Sequence, residues 1–318
     1  MAETVIAPET ILRAIIPVYL MILAGVVARR TGLLGKEADG PLMAVTVNIL
    51  FPCLILDKML GNSALEQTGT LLWAASIGAL NIAIGMGLSL LCGRALGMQK
   101  GSGLRTFALT TGLQNYGFIA IPVLAAVFPG KGPMGVLFLH NLGVELAMWS
   151  LGLMILSGAW GGFLQVLKNG PILAVLAGIL LVKSGADQWI PGPMKGLFSQ
   201  FGSGAVPLSL LLVGLTMSDL MFAERPTLKV ALSSIVLRLG VLAFVLLAAA
   251  KFLPVTEELK KVLIVQAAMP AAVFPIVLAR HYGGSPAVAI QVVVATGIAA
   301  LVTIPLVVAW GARWVFGS

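Results

Sequence analysis

Long apolar stretches alternate along this chain with short polar clusters. Set against charge and Gly/Pro punctuation, the pattern predicts ten helices, near 11–28, 41–60, 70–92, 105–128, 134–157, 170–184, 198–222, 228–252, 261–280 and 286–312. The sixth is short, and a start near Phe163 would lengthen it. The connections, such as 29–40 and 93–103, are short and polar. Trp149, Trp160, Trp189 and Trp314 fall near predicted helix ends, where interfacial aromatics collect.

Composition turns these helices into membrane spans. Of 318 residues, 59% are hydrophobic and 10% charged, against about 25% charged in a soluble domain. A water-soluble globule is excluded. At roughly 20 residues per crossing, ten spans leave loops too short for a soluble catalytic or nucleic-acid-binding domain. The net charge of +8 is no nucleic-acid footprint, because no basic run exceeds two residues. Glu3 and Glu9 ahead of a spanning stretch argue against a cleavable signal. Basic residues of the first half divide seven (Arg29, Arg30, Lys36, Arg94, Lys100, Arg105, Lys168) to three (Arg13, Lys58, Lys131) across alternate loops, which puts the N-terminus outside.

The second half resembles the first. The exit of the first helix, Gly25-Val-Val-Ala-Arg-Arg-Thr-Gly32, has a counterpart 153 positions later in Gly178-Ile-Leu-Leu-Val-Lys-Ser-Gly185. Leu104-Arg105, opening the fourth helix, matches Leu259-Lys260 at an offset of 155. An odd number of crossings per copy inverts the second copy, an arrangement typical of secondary transporters with a midplane substrate site. The expected architecture is an all-α integral membrane protein of two inverted five-helix repeats, 1–160 and 161–318.

Polar groups and helix breakers at mid-depth need a reason, since lipid offers no hydrogen bonds. The fourth helix carries Thr110-Thr111-Gly112-Leu113-Gln114-Asn115-Tyr116-Gly117 and then Pro122; the ninth carries Gln266-Ala-Ala-Met269-Pro270 and then Pro275. Asn115 and Pro270 are 155 apart. The reading is a pair of discontinuous helices crossing near the midplane, whose half-helix N-termini suit a carboxylate; ordinary kinked helices are the alternative. Asn115, Gln114, Tyr116, Gln266, Met269, Pro270 and Asn141 are the candidate substrate residues. Glu145 is the one acid deep in a span and, with His140, is a candidate for proton coupling; a carboxyl that merely holds helices together is the other reading. Arg238 interrupts the eighth helix, either to attract an anion or to pair with Glu145 or helix carbonyls. Asn81 is expected to bond a neighbouring helix and Asn48 to line a cavity wall, while Asp57 and Asp219 snorkel from helix ends.

Enzymatic chemistry finds no support. The two histidines and two cysteines have no zinc-ligand spacing, and the glycine-rich stretches lack a Walker or dinucleotide pattern. Cys53 and Cys92 sit in apolar stretches and imply no disulfide framework. Ser150 and Ser157 flank no helix break, so an intramembrane hydrolase lacks its parts. Neither cofactor nor metal is expected.

These residues resemble the auxin efflux carrier family, whose bacterial members include malonate and malate permeases. The likeness is clearest in Val265-Gln266-Ala-Ala-Met269-Pro270-Ala-Ala-Val-Phe-Pro275 and Ala279-Arg280-His281-Tyr282-Gly283. It recurs in Asn115-Tyr-Gly-Phe-Ile-Ala-Ile-Pro122, and more weakly in Asn48-Ile-Leu-Phe-Pro52, Trp149-Ser-Leu-Gly152 and Arg238-Leu. The resemblance implies a scaffold of helices 1, 2, 6 and 7 and a moving transport domain of helices 3–5 and 8–10, with Asn115 meeting the substrate carboxylate and Pro270 as the ninth-helix crossover proline. Ala120, Gln114 and Ala243 depart from the family pattern, which bears on substrate more than fold. The ninth helix has no acid, which argues against a sodium site of the bile-acid symporter type. The expected function is alternating-access transport of a small organic anion across a bacterial inner membrane. Protons are a candidate second cargo, and a homodimer through the scaffold helices is a further expectation. Potential-driven, auxin-like export is the nearest alternative, and a non-transporting membrane sensor a more distant one.

Overall fold

The computed structural model describes residues 8–99, 101, 103–157, 168–221 and 227–317. Lys100, Trp160 and Phe163 lie outside them. The described residues are helical apart from connections, with a single isolated β-bridge, Gln114 to Ala271.

The helices follow the predicted order. They are α1 (Pro8–Arg30), α2 (Lys36–Met59), α3 (Thr68–Ala95), α4a (Leu104–Gly112) with α4b (Ala120–Val127), α5 (Lys131–Ser157), α6 (Gly170–Ser184), α7 (Gly192–Leu220), α8 (Leu228–Phe252), α9a (Glu257–Ala268) with α9b (Phe274–His281), and α10 (Pro286–Phe316). Six of them (α2, α3, α5, α7, α8 and α10) are long and apolar enough to cross a membrane. Their outer faces are as apolar as the core: Leu72, Leu80, Leu91, Val302 and Leu306 all point outward and exposed. A soluble protein rarely leaves so large an apolar surface bare.

Local chemistry sets several ends. Asn169 accepts from the Ile172 N–H to start α6, Thr256 from Leu259 to start α9a, and Ser285 from Val288 to start α10. Where α1, α2 and α7 end or begin together, Arg29 pairs with Asp39 and, at 3.3 Å, with Asp219. Asp57 pairs with Lys58 at 2.8 Å. The two aspartates expected to snorkel are therefore held by cations at helix ends.

Packing sorts the helices into two groups. The first helix runs along α7, and α2 lies against α6 and α7. In the second group α3 packs on α4a and α5, and α10 on α8 and α9a, while α5 meets α9a. Glycines permit the closest of these approaches. A Cβ on Gly143 of α5 would lie 1.8 Å from the Ala75 carbonyl oxygen of α3, and one on Gly78 would lie 2.1 Å from that of His140. Gly25 and Gly214 do the same for α1 and α7, at 2.2 Å from the Leu211 oxygen and 2.0 Å from the Ile22 oxygen. With no hydrophobic effect between helices in lipid, such backbone proximity supplies the contact that holds them.

Candidate functional site

Two broken helices cross at the centre of the second group. α4a stops where Thr110-Thr111-Gly112, weak helix formers, give way to an extended Leu113 (φ −99°, ψ 112°). α9a stops at Met269, held extended (φ −76°, ψ 136°) as the residue before a proline must be. Pro122 and Pro275 then sit in the first turns of α4b and α9b, where a missing N–H breaks no helical bond.

The two gaps bond to each other through backbone. The Asn115 N–H donates to the Pro270 carbonyl at 2.7 Å, and the Ala272 N–H to that of Leu113 at 2.9 Å. Pro270 is well suited to this place, since it has an acceptor to offer and no donor to leave orphaned. Around the crossing α4a meets α9b and α4b meets α9a.

A cluster of amides closes over the Tyr116 carbonyl. Asn141 Nδ2 donates to it at 2.9 Å and Gln266 Nε2 at 3.3 Å; Gln266 Nε2 also donates to Asn141 Oδ1 at 3.2 Å. Three helices are thus tied at one backbone oxygen. Below it the Tyr116 hydroxyl donates to Glu145 Oε1 at 2.6 Å, and Trp149 Nε1 donates to Glu145 Oε2 at 3.0 Å. Asn141 and Glu145 therefore share a face of α5, as their spacing of four requires. Trp149, expected as an interfacial anchor, instead holds Glu145 and meets Phe274 edge-to-face.

Asn115 has two roles open to it. Its Oδ1 accepts from the Ile119 N–H at 3.2 Å, just ahead of α4b, which leaves Nδ2 without a partner among the described residues. Met269 and Pro270 are buried at the crossing.

Other predicted residues lie elsewhere. Gln114 turns away from the amide cluster, its Oε1 accepting from Asn81 Nδ2 of α3 at 2.9 Å. That fulfils the expectation for Asn81 and separates Gln114 from Asn115. His140 is fully buried, 3.4 Å from the Asn141 oxygen through Nδ1. Asn48 is exposed and bonds its own helix at the Ala44 carbonyl. Arg238 is fully buried and does not pair with Glu145, whose oxygens are both taken.

One residue escaped the sequence reading. Thr296 of α10 accepts from the Ala271 N–H at 3.2 Å and donates to the Val292 carbonyl. A signal existed: Thr296 lies 155 positions after Asn141, as Ala271 lies 155 after Tyr116. Each gap is thus met by a polar side chain from the helix that follows it.

Comparison with known proteins places the chain in a family. A family model described as membrane transport protein matches residues 10–169 and 160–308. A protein of Methanothermobacter thermautotrophicus named "Uncharacterized transporter" is 27% identical over 210 residues, covering 64% of this chain and 67% of that protein. Apolar spanning helices and these matches together describe a multi-pass integral membrane transporter. The chain belongs to the membrane transport protein family, that of the auxin efflux carriers.

Proposed function

We propose that the protein carries a small organic anion, a malonate- or malate-like carboxylate, across a bacterial inner membrane by alternating access, with the crossing of α4 and α9 as its substrate site. The observation that carries this reading is the pair of breaks bonded to each other, with the Asn141 and Gln266 amides gathered on the Tyr116 carbonyl between them. Asn115 Nδ2 and the positive end of α4b receive the carboxylate. Gln266, Asn141 and the Tyr116 backbone hold the opposite wall, with Met269 shaping it.

Ten crossings in two inverted repeats, 1–160 and 161–318, underlie the cycle. The packing supports such a repeat: α1 on α7 becomes α6 on α2 under a five-helix shift, and α3 on α5 becomes α8 on α10. α1, α2, α6 and α7 form the scaffold, against which the remaining helices move.

Uptake of radiolabelled malonate, malate and indole acetate into proteoliposomes tests the reading. Flux of either dicarboxylate supports it, flux of indole acetate alone favours the auxin-like exporter, and none would indicate a sensor. In the same assay Asn115→Ala should weaken apparent affinity about tenfold or more, because a hydrogen bond to a charged group contributes roughly 1.5–3 kcal/mol. Loss of its hydrogen bond to the Ile119 N–H costs about 1 kcal/mol of stability, small enough for the variant to fold. Unchanged affinity in the folded variant removes Asn115 from the site.

Glu145 is the proposed proton carrier, because its carboxyl reaches the site through Tyr116. Glu145→Gln should abolish accumulation driven by a pH gradient and leave substrate exchange intact. If accumulation survives there and fails in His140→Gln, the histidine carries the proton. A wild type indifferent to the gradient is a uniporter, driven by about 2.3 kcal/mol per charge per 100 mV.

A further inference from the structure

Arg238 heads the largest fully buried side chains of the described residues, and its Nε, Nη1 and Nη2 have no hydrogen-bond partner among them. It lies in a π turn of α8, Val236–Val241, a widened helical turn of the kind found at functional sites. That turn packs against α4a and α10. Both helices lead to the crossing: α4a ends at Gly112, and α10 places Thr296 on Ala271. The amide cluster is built instead from α5, α9a and Tyr116. Arg238 and the amide cluster are thus carried by different helices.

No carboxylate of the described residues pairs with this cation. The ion pairs there join Arg29 to Asp39 and Asp219, Lys58 to Asp57, and Lys261 to Glu257. Glu145 is engaged by Tyr116 and Trp149. A guanidinium keeps its proton, and a buried charge with neither counterion nor hydrogen bonds is strongly unfavourable. Its planar fork of five N–H groups matches a compact anion, a two-oxygen carboxylate best of all.

We propose that Arg238 is the cationic half of a second, buried anion site between α8, α4a and α10, which takes one small monovalent anion, a carboxylate or a halide. The site is separate from the carboxylate-binding crossing and does not depend on that reading.

Thermal unfolding of the purified full-length protein tests it, in acetate, chloride or gluconate at equal ionic strength. Gluconate is the reference, because a closed site excludes its hydroxylated six-carbon chain. The wild type should melt higher in acetate or chloride by roughly 2–4 °C; the better of the two identifies the anion. Arg238→Gln should lose this dependence and melt in gluconate no lower than the wild type, since it removes an uncompensated buried charge. Asn115→Ala should keep the dependence, which separates this site from the crossing. Equal melting of the wild type in all three anions overturns the proposal. So does an anion dependence that survives Arg238→Gln. Destabilisation of Arg238→Gln in gluconate, or failure of both it and the equally long Arg238→Met to fold, overturns it as well, because the guanidinium would then be bound by the chain itself.

Discussion

Replacing Gln266 by leucine is expected to lower substrate flux in proteoliposomes roughly ten- to hundredfold while leaving a folded protein. Gln266 Nε2 donates both to the Tyr116 carbonyl and to Asn141 Oδ1, so one side chain joins α9a, the α4 gap and α5. Leucine fills similar space and removes both bonds. The Tyr116 carbonyl keeps its bond from Asn141 Nδ2, while Asn141 Oδ1 keeps only the 3.4 Å contact with His140 Nδ1. Each lost hydrogen bond costs about 0.5–1.5 kcal/mol, and each 1.4 kcal/mol is a factor of ten in binding. Flux and melting temperature measured on one preparation check this. Flux within twofold of the wild type would mean that the amide cluster is only structural.

A larger effect on stability is expected at Gly143. Its added methyl group would sit 1.8 Å from the Ala75 carbonyl oxygen and 2.7 Å from the carbon behind it. Both belong to helix backbone, which has no flexible end to give way. α3 and α5 must move apart, and overpacking of this kind costs about 3 kcal/mol or more. The same shift would loosen α5, which carries Asn141 and Glu145. Gly87→Ala is the matched control, since a Cβ there meets nothing within 4 Å. It should be neutral or stabilising by up to about 1 kcal/mol, because alanine is the better helix former. Equal unfolding of the two variants in detergent would refute the close α3–α5 contact.

How far the sequence reaches is clearest in the two broken helices. Pro270, Pro275, Gly112 and Gly117 act on their own backbone, by removing a donor or loosening the chain. The breaks could therefore be placed to within a few residues without knowing what lay beside them. The same holds for the helices, whose apolar stretches and polar ends are local features; the ends of α4a, α4b, α9a and α9b fall inside the spans expected for them or within four residues of those spans. The spacing of four between Asn141 and Glu145 likewise placed both on one face of α5.

Partners across helices are another matter. Gln114 and Asn115 are neighbours in sequence, yet one faces Asn81 on α3 and the other accepts from the Ile119 N–H ahead of α4b. In an extended gap successive side chains point opposite ways, and which of them meets the site depends on how the gap is bonded to α9. Trp149 was placed at a helix end by its position, but it is a turn beyond Glu145 on the same face and donates to it. Arg238 and Glu145 are both charged and deep, which makes them candidate partners in sequence, but the fold gives that acid to Tyr116 and Trp149 instead.

The sequence by itself thus determined a helical membrane protein, the positions of its two breaks and the polar residue types gathered around them. Those follow from hydropathy, proline and glycine, which act within a few residues of themselves. Only the tertiary structure decided that Gln266 reaches Tyr116 across 150 positions, that Thr296 meets Ala271, and that Arg238 is buried without a partner among the described residues. Such pairings depend on the rotation and closeness of packed helices. Those are set by contacts such as Gly143 on Ala75, between segments that nothing in their local sequence brings together.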